Sequence, residues 1–202
     1  MAGIWYALQM SKNLDISIEY DLRPLKVFET VGNRKSVKVM LFRAAYGAGN
    51  EAIRKVRTES RREIQKRKAL KASAINKALP VKAYKAAYGD ISGLRWMMRI
   101  GNDPMPMSAY PVRQNKKGVR ATINRSKPVL IASAFIMKGA KAAGRVFIRE
   151  KGQPRLPIKQ LYTSTVAQAW DSGGIPQRIQ GLGQRTFTTA FDRIIAYRLS
   201  QL

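Results

Sequence analysis

The stretch Val37–Ile64, VKVMLFRAAYGAGNEAIRKVRTESRREI, decides the fold. Apolar positions step along it in threes and fours, at Val37, Leu41, Ala44, Ala48, Ala52, Val56 and then Ile64, the period of one helix face. Asn33 and Ser36 both carry the short polar side chain that caps a helix N-terminus. Gly47 and Gly49 each cost a helix interior about 1 kcal/mol relative to Ala, so the spacing allows a break there. The opposite face is basic: Arg54, Arg57, Arg61 and Lys68 line it, and Arg62, Lys66 and Arg67 widen it. Glu59 and Glu63 are placed to pair with Arg62 and Arg67 at i,i+3 and i,i+4.

Upstream, residues 1–35 read as an arm and a strand. Leu14, Ile16, Ile18 and Tyr20 alternate with Asp15, Ser17 and Glu19, the period of a half-buried strand, and Pro24 ends it. Ahead of it, Ile4, Trp5, Tyr6 and Leu8 form a greasy segment that either folds onto its own core or docks on a neighbouring subunit. Downstream of the long helix, Ser73 to Leu79 predicts a second short helix capped by Ser73 and stopped by Pro80. Residues 36–80 thus form a basic helical segment.

Residues 81–162 change to period two. Ala83 to Ala87, Leu94 to Ile100, Val119 to Ile123, Val129 to Met137 and Arg145 to Ile148 all read as strands. Asn115-Lys116-Lys117-Gly118 reads as a turn, and Lys138 to Gly144 as a basic connector. In residues 163–202, Val166 to Trp170 suggests a helical turn and Ser172-Gly173-Gly174 a break. Pro176 then opens a last helix with a stripe at Ile179, Leu182, Thr186, Ala190, Phe191, Ile194 and Arg198. The pattern predicts an α+β fold of one domain, with a long basic N-terminal helix and a C-terminal helix bracketing a mostly antiparallel sheet.

Charge and two absences bound the function. The chain has 202 residues with 38 Lys and Arg against 12 Asp and Glu, a formal charge of +26. At 45% hydrophobic residues it has enough apolar surface to fold, unlike a disordered basic tail. With neither Cys nor His there is no disulfide, no thiolate zinc site, no thiol nucleophile and no Ser-His-Asp chemistry. The twelve acids are scattered, so the sequence points away from an enzyme and from any cofactor or metal. The longest apolar-dominated run, Val129 to Met137, is far short of the roughly 20 residues a spanning helix needs. Met1 to Met10 has no positive n-region and is not read as a signal peptide.

Between Gln65 and Arg149 there are nineteen bases and two acids, Asp90 and Asp103. Self-repulsion on that scale calls for an acidic partner. The sequence holds no zinc-finger spacing, basic zipper or aromatic RNP-type motif, so nucleic acid would be bound without sequence preference. Tyr84, Tyr88 and Trp96 alternate with Lys82, Lys85, Arg95 and Arg99, either as a stacking platform or, the favoured reading, as packing beneath the sheet. Gly47-Ala-Gly49 and Gly181-Leu-Gly183 lack the context and lysine of a phosphate loop and read as flexible or close-packing points.

Residues 52–170 resemble the phage minor tail protein Z family, the tail completion proteins of long-tailed phages. The likeness begins where the basic helix leads into Ala74-Ile75-Asn76-Lys77-Ala78-Leu79, and strengthens at Met107 to Arg120, a Pro-aromatic segment followed by Arg113-Gln114-Asn115-Lys116-Lys117-Gly118. Ala134-Phe135-Ile136, Val146-Phe147-Ile148-Arg149 and Arg155 to Tyr162 follow in the family's order. Where the family often has Pro-Gly before its Ala-Phe-Ile, this chain has Ala132-Ser133, and Thr163 to Ala167 replaces a Gly-Pro-Ser-Val-Pro run.

The resemblance implies a virion structural protein of the tail or neck, assembled in the host cytoplasm. It would form a ring, hexameric by analogy with the tail tube, at the head-proximal end of the tail. There it would support tail assembly, head–tail joining and DNA passage. Expected partners are further copies of itself, the tail terminator and tail tube proteins, and the end of the phage genome, with no membrane. A wholly basic channel would hold DNA where it must slide, because each phosphate contact adds nearly one unit of salt-dependence slope. The expectation is therefore a division of labour. Lys116, Lys117, Arg120, Lys138 and Lys141 would meet DNA, while Trp5, Tyr6, Arg54, Arg57, Arg61, Arg62, Lys66, Arg67 and Lys68 would dock protein. The alternatives are a sequence-independent nucleic-acid-binding protein outside any virion and a magnesium nuclease, the last weakened by the lack of clustered carboxylates.

Overall fold

The computed structural model describes residues 14–18, 35–84, 94–125, 127–139, 143–149, 156–171 and 174–201. In chain order they form β1 (Leu14–Ile18), α1 (Lys35–Arg67), α2 (Ala72–Ala78), β2 (Val81–Tyr84), β3 (Arg95–Ile100), β4 (Pro104–Pro106) and a 3-10 turn (Met107–Ala109). Then come β5 (Val112–Asn115), β6 (Gly118–Asn124), β7 (Lys127–Ala132), β8 (Ala134–Ile136), β9 (Val146–Arg149), β10 (Ile158–Gln160), β11 (Tyr162–Thr165), α3 (Val166–Asp171) and α4 (Ile175–Leu199). The fold is α+β, with antiparallel sheets flanked by a long N-terminal and a long C-terminal helix. Instead of one sheet, the described strands make four small ones. The chain divides into two compact units, one of residues 1–60, 79–100 and 174–202, the other of residues 61–78 and 101–173.

The first unit is organised around Trp96. In its sheet β3 lies between β1 and β2, both antiparallel to it, with Ile16 opposite Met98 and Ala83 opposite Trp96. Alternation along β3 buries Trp96, Met98 and Ile100 and exposes Arg95 and Arg99. Trp96 is wholly buried, and its indole N–H donates to Asn50 Oδ1 at 3.2 Å. Its ring lies against α1 at Gly49, where an added Cβ would fall 2.1 Å from Cζ2. Tyr46 and Phe187 flank the indole at 6.4 and 6.3 Å between ring centroids, and Phe191 stacks on Phe187 at 5.9 Å.

These contacts decide two readings that the sequence left open and correct a third. α1 is unbroken through Gly47 and Gly49, because both glycines admit a neighbour: Trp96 at Gly49 and Ile194 Cδ1, 3.2 Å from a Cβ at Gly47. Trp96 is buried against Tyr46 and Phe187, the favoured packing reading, and is no stacking platform; Tyr84 is exposed, and Tyr88 lies outside the described residues. The buried stripe of α4 is Ile175, Ile179, Gly183, Phe187 and Ala190, so Phe187 takes the place expected of Thr186 and Phe191.

The second unit is built on a small core of Met107, Val119, Ala121, Ala134 and Val146, with Val112, Ile123, Ile131, Ile136 and Leu161 packed around it. Two three-stranded sheets supply it, β5-β6-β7 and β8-β9-β10. β7 and β8 were expected as one strand; Ser133, at φ 62°, breaks it and turns the chain from one sheet into the other. β4, β5, β10 and β11 were not expected. β4 and β10 are only three residues each and β4 is Pro104-Met-Pro106, too short and too proline-rich to show a period. α2 begins at Ala72, not behind a Ser73 cap: the Lys71 carbonyl accepts from Ala74 N and Ile75 N at 3.1 and 3.2 Å. Of the proposed helix caps, Ser36 lies within α1 and Asn33 outside the described residues.

Gly49→Ala is expected to destabilise the protein by about 2 kcal/mol, because overpacking against the indole outweighs the gain in helix propensity. Gly47→Ala meets only the flexible tip of Ile194 and is expected to be neutral or up to about 1 kcal/mol stabilising. Thermal or urea unfolding of the two variants checks this contrast.

Candidate functional site

Charge is unevenly shared between the units. Residues 61–78 and 101–173 hold twenty Lys and Arg and four Asp and Glu, a net of +16, and the remaining residues hold eighteen and eight, a net of +10. Residues 104–149 contain ten bases and no acid. A surface there cannot neutralise itself from within that stretch.

The hairpin β5-β6 organises this charge. A two-residue loop, Lys116-Lys117, sets Asn115 opposite Gly118, and the antiparallel register then sets Gln114 opposite Val119 and Arg113 opposite Arg120. Gly118 has φ 146°, and a Cβ on it would fall 2.2 Å from the Ile131 carbonyl oxygen, so glycine is what lets β7 come up beside β6. β7 continues the rows, with Leu130 opposite Arg120 and Ile131 opposite Val119. Side chains alternate across a strand, so one face carries Val112, Val119, Ala121 and Ile131 into the core and the other carries Arg113, Arg120, Thr122 and Leu130 outward. Gln114 fastens the inner face: its Nε2 donates to the Gly118 carbonyl at 3.2 Å and its Oε1 accepts from Ile136 N of β8 at 2.8 Å.

Two arginines directly opposite each other on an exposed face repel at a Cβ separation of about 5 Å. Among the described residues neither has a carboxylate within salt-bridge distance. Lys116 and Lys117 are exposed in the loop beyond them. Of the residues expected to meet DNA, the fold brings together Lys116, Lys117 and Arg120. Lys138 is exposed but follows β8, in the other sheet, and Lys141 lies outside the described residues. Arg113 was missed, although the register of a two-residue hairpin loop pairs it with Arg120.

The residues expected to dock protein are not gathered into one described site. Trp5 and Tyr6 lie outside the described residues. Arg54 and Arg57 belong to the first unit, and Arg61, Arg62, Lys66, Arg67 and Lys68 to the second. Arg54, Arg62, Lys66 and Arg67 are exposed and Arg57 and Arg61 half-buried. Several of the cations near the end of α1 are engaged in structure. Lys66 pairs with Glu63, Lys68 Nζ donates to Asn124 Oδ1 at 2.9 Å, and the neighbouring Lys71 Nζ donates to the Ser108 carbonyl at 2.9 Å. The Arg67 carbonyl accepts from Arg125 N at 3.3 Å, and Lys68 forms an isolated bridge with Asn124. These bonds tie the helix end to the tip of β6, and the cations Lys66 and Arg67 in the last turn also suit the negative end of the helix dipole.

A second outward face, on β8-β9-β10, pairs Phe135 with Phe147 at 6.2 Å between centroids and sets the Arg149 guanidinium 5.0 Å over the Phe135 ring. That cation is already satisfied by an aromatic partner. Among the described residues no group of three or more acids is placed to hold a metal ion, and no helix is long and apolar enough to cross a membrane.

Arg120→Thr is expected to raise stability by a few tenths of a kcal/mol at low ionic strength by relieving the cross-strand repulsion, with the gain shrinking as salt screens it. Melting curves of the variant and the parent at low and high salt check this. No family model, characterised protein or solved structure matches this chain.

Proposed function

We propose that the chain is a structural component of a bacteriophage virion, a tail completion or neck protein that assembles as a ring at the head-proximal end of the tail. In that place it supports completion of the tail, joining to the head and passage of DNA, and it performs no catalysis. One observation carries the reading. Met107 to Arg120, Ala134 to Ile136 and Val146 to Arg149, three of the blocks that resemble minor tail protein Z, fold together within one compact unit, and four of its five central core residues come from them. The corner between β7 and β8 adds to it. Ser133 adopts φ 62°, a left-handed conformation natural to glycine, at the place where the family often carries glycine.

The charge fits the same role. A strongly basic unit held rigid by a sheet core is suited to a fixed place among acidic neighbours, where complementary potentials steer assembly. The acidic surfaces of a tail tube or terminator ring, and the genome end that reaches them, are neighbours of that kind. A sequence-independent nucleic-acid-binding protein outside any virion is the second reading, favoured by the same outward arginines. It differs in predicting no ring and no effect on particle assembly.

Phage particles produced without this chain are expected, by negative-stain imaging, to show filled heads and tails that fail to join or to deliver DNA. Particles of normal appearance and infectivity would contradict the tail reading. Ser133→Gly is expected to be tolerated, with stability within about 1 kcal/mol of the parent, whereas the β-branched Ser133→Val is expected to cost about 2 kcal/mol. Unfolding curves of the two variants distinguish them.

A further inference from the structure

We propose that the outward face of the β5-β6-β7 sheet grips the phosphate backbone of duplex DNA, with Arg113 and Arg120 at its centre and Lys116 and Lys117 at its tip. The proposal rests on the reading that this chain meets a genome, and names the surface and the chemistry of the contact.

Register is the first argument. Arg113 and Arg120 face each other across two strands, and neighbouring strands lie about 4.8 Å apart, so both guanidiniums can reach one phosphate or two adjacent ones. A like-charged pair without a carboxylate nearby is a liability in the free protein and an asset against a polyanion, because each phosphate bound releases condensed counterions. Arginine also forks onto phosphate oxygens through two parallel N–H groups, which suits a fixed contact better than a point charge does.

The rest of the face distinguishes among acidic partners. Protein interfaces are anchored by aromatic or apolar residues at their centre. Here the centre is arginine, with Thr122 in the same row set, Asn115 at the hairpin end and Leu130 the one large apolar side chain, 48% exposed on the edge strand. Arg, Lys, Asn and Thr are the side chains that contact phosphate and sugar. Single strands are held by stacking bases on aromatic rings, and this face has none: the ring pair of this unit, Phe135 and Phe147, belongs to the other sheet with Arg149 laid over Phe135. The face offers no base-reading motif either, so binding is to backbone alone and indifferent to sequence.

A sheet face differs from a mobile basic loop in what it does to affinity. Two arginines held in register and two lysines in the short loop beyond them make a limited footprint, consistent with a grip that DNA can leave. The exposed Lys138, beyond β8, lies off this face, so its loss is expected to weaken binding less than the loss of Arg113.

The test is fluorescence anisotropy of the intact chain with a short labelled DNA duplex of mixed sequence, titrated over a range of salt. The probe's separated single strand and poly-glutamate serve as further arms. R113Q/R120Q is expected to lower the slope of log affinity against log salt by about two, since each lost phosphate contact removes about 0.9. K116Q/K117Q, confined to the exposed loop, is expected to lower it by a similar amount, and it carries the test should the double arginine variant fail to fold. The charge-matched R54Q/K55Q on α1 is expected to lower it by less than half as much. Unchanged slopes in folded R113Q/R120Q and K116Q/K117Q would overturn the proposal. So would tighter binding to the single strand than to the duplex, or binding to poly-glutamate as tight as to DNA and equally sensitive to these substitutions. Failure of this test leaves the tail reading to the particle experiment, and normal particles without the chain would leave a duplex grip demonstrated here intact.

Discussion

A stretch of forty-six residues without a carboxylate, residues 104–149, cannot be held together by ion pairs within itself. What holds it is a core of five buried side chains: Val119, Ala121, Ala134 and Val146 from two three-stranded sheets, and Met107 from the 3-10 turn. The rest of the second unit depends on that apolar centre, because it fixes which residues of each strand are hidden and so which are shown. Val119 and Ala121 go in, and Arg120 between them comes out. Burial of small aliphatic groups is worth about 25 cal/mol per Å² of apolar area and does not weaken with salt, so it tolerates a charged exterior that surface pairing cannot relieve.

The two units solve the same problem of anchoring a sheet with different chemistry. In the first, a single indole carries the contact: Trp96 fits against α1 at Gly49, hydrogen-bonds Asn50 one residue later, and collects Tyr46 and Phe187 around it. Two glycines that disfavour a helix are kept within an unbroken one because large side chains occupy the space they leave. In the second unit, polar groups fasten strands that are too short to hold themselves. Gln114 ties β5 to β8, Lys68 and Lys71 tie the end of α1 to β6 and to the turn before β5, and Thr163 Oγ1 lies 3.0 Å from the buried Tyr110 hydroxyl. Cations that read as a docking face in the sequence are here partly spent on internal bonds.

Much of this was legible before any coordinates. The three-and-four spacing from Val37 to Ile64 marked α1, and the alternation in Leu14 to Tyr20 and Leu94 to Ile100 marked two strands that prove to be neighbours. The turn at Lys116-Lys117 was also legible, and with it the register that sets Arg113 against Arg120, although the pairing was not drawn from it. Other features left no periodic trace. Three-residue strands such as β4 and β10 are shorter than two periods of alternation, and the break between β7 and β8 depends on one backbone angle at Ser133 that its side chain does not advertise. The role of Gly49 was invisible because its reason lies forty-seven residues away at Trp96. On the site, composition gave the excess of positive charge, and only the fold could separate Arg120, on the open face of its sheet, from Lys138, which follows β8.

The central claim is our proposal that this strongly basic protein has its outward charge balanced by an acidic neighbour and not by its own carboxylates. The melting temperature of the intact protein as a function of ionic strength, with and without duplex DNA, tests it most directly. The account predicts a melting temperature that climbs with salt in the free protein, and that at low salt climbs further when the duplex is added. A melting temperature that stays flat or falls with salt, and ignores the duplex, would contradict it.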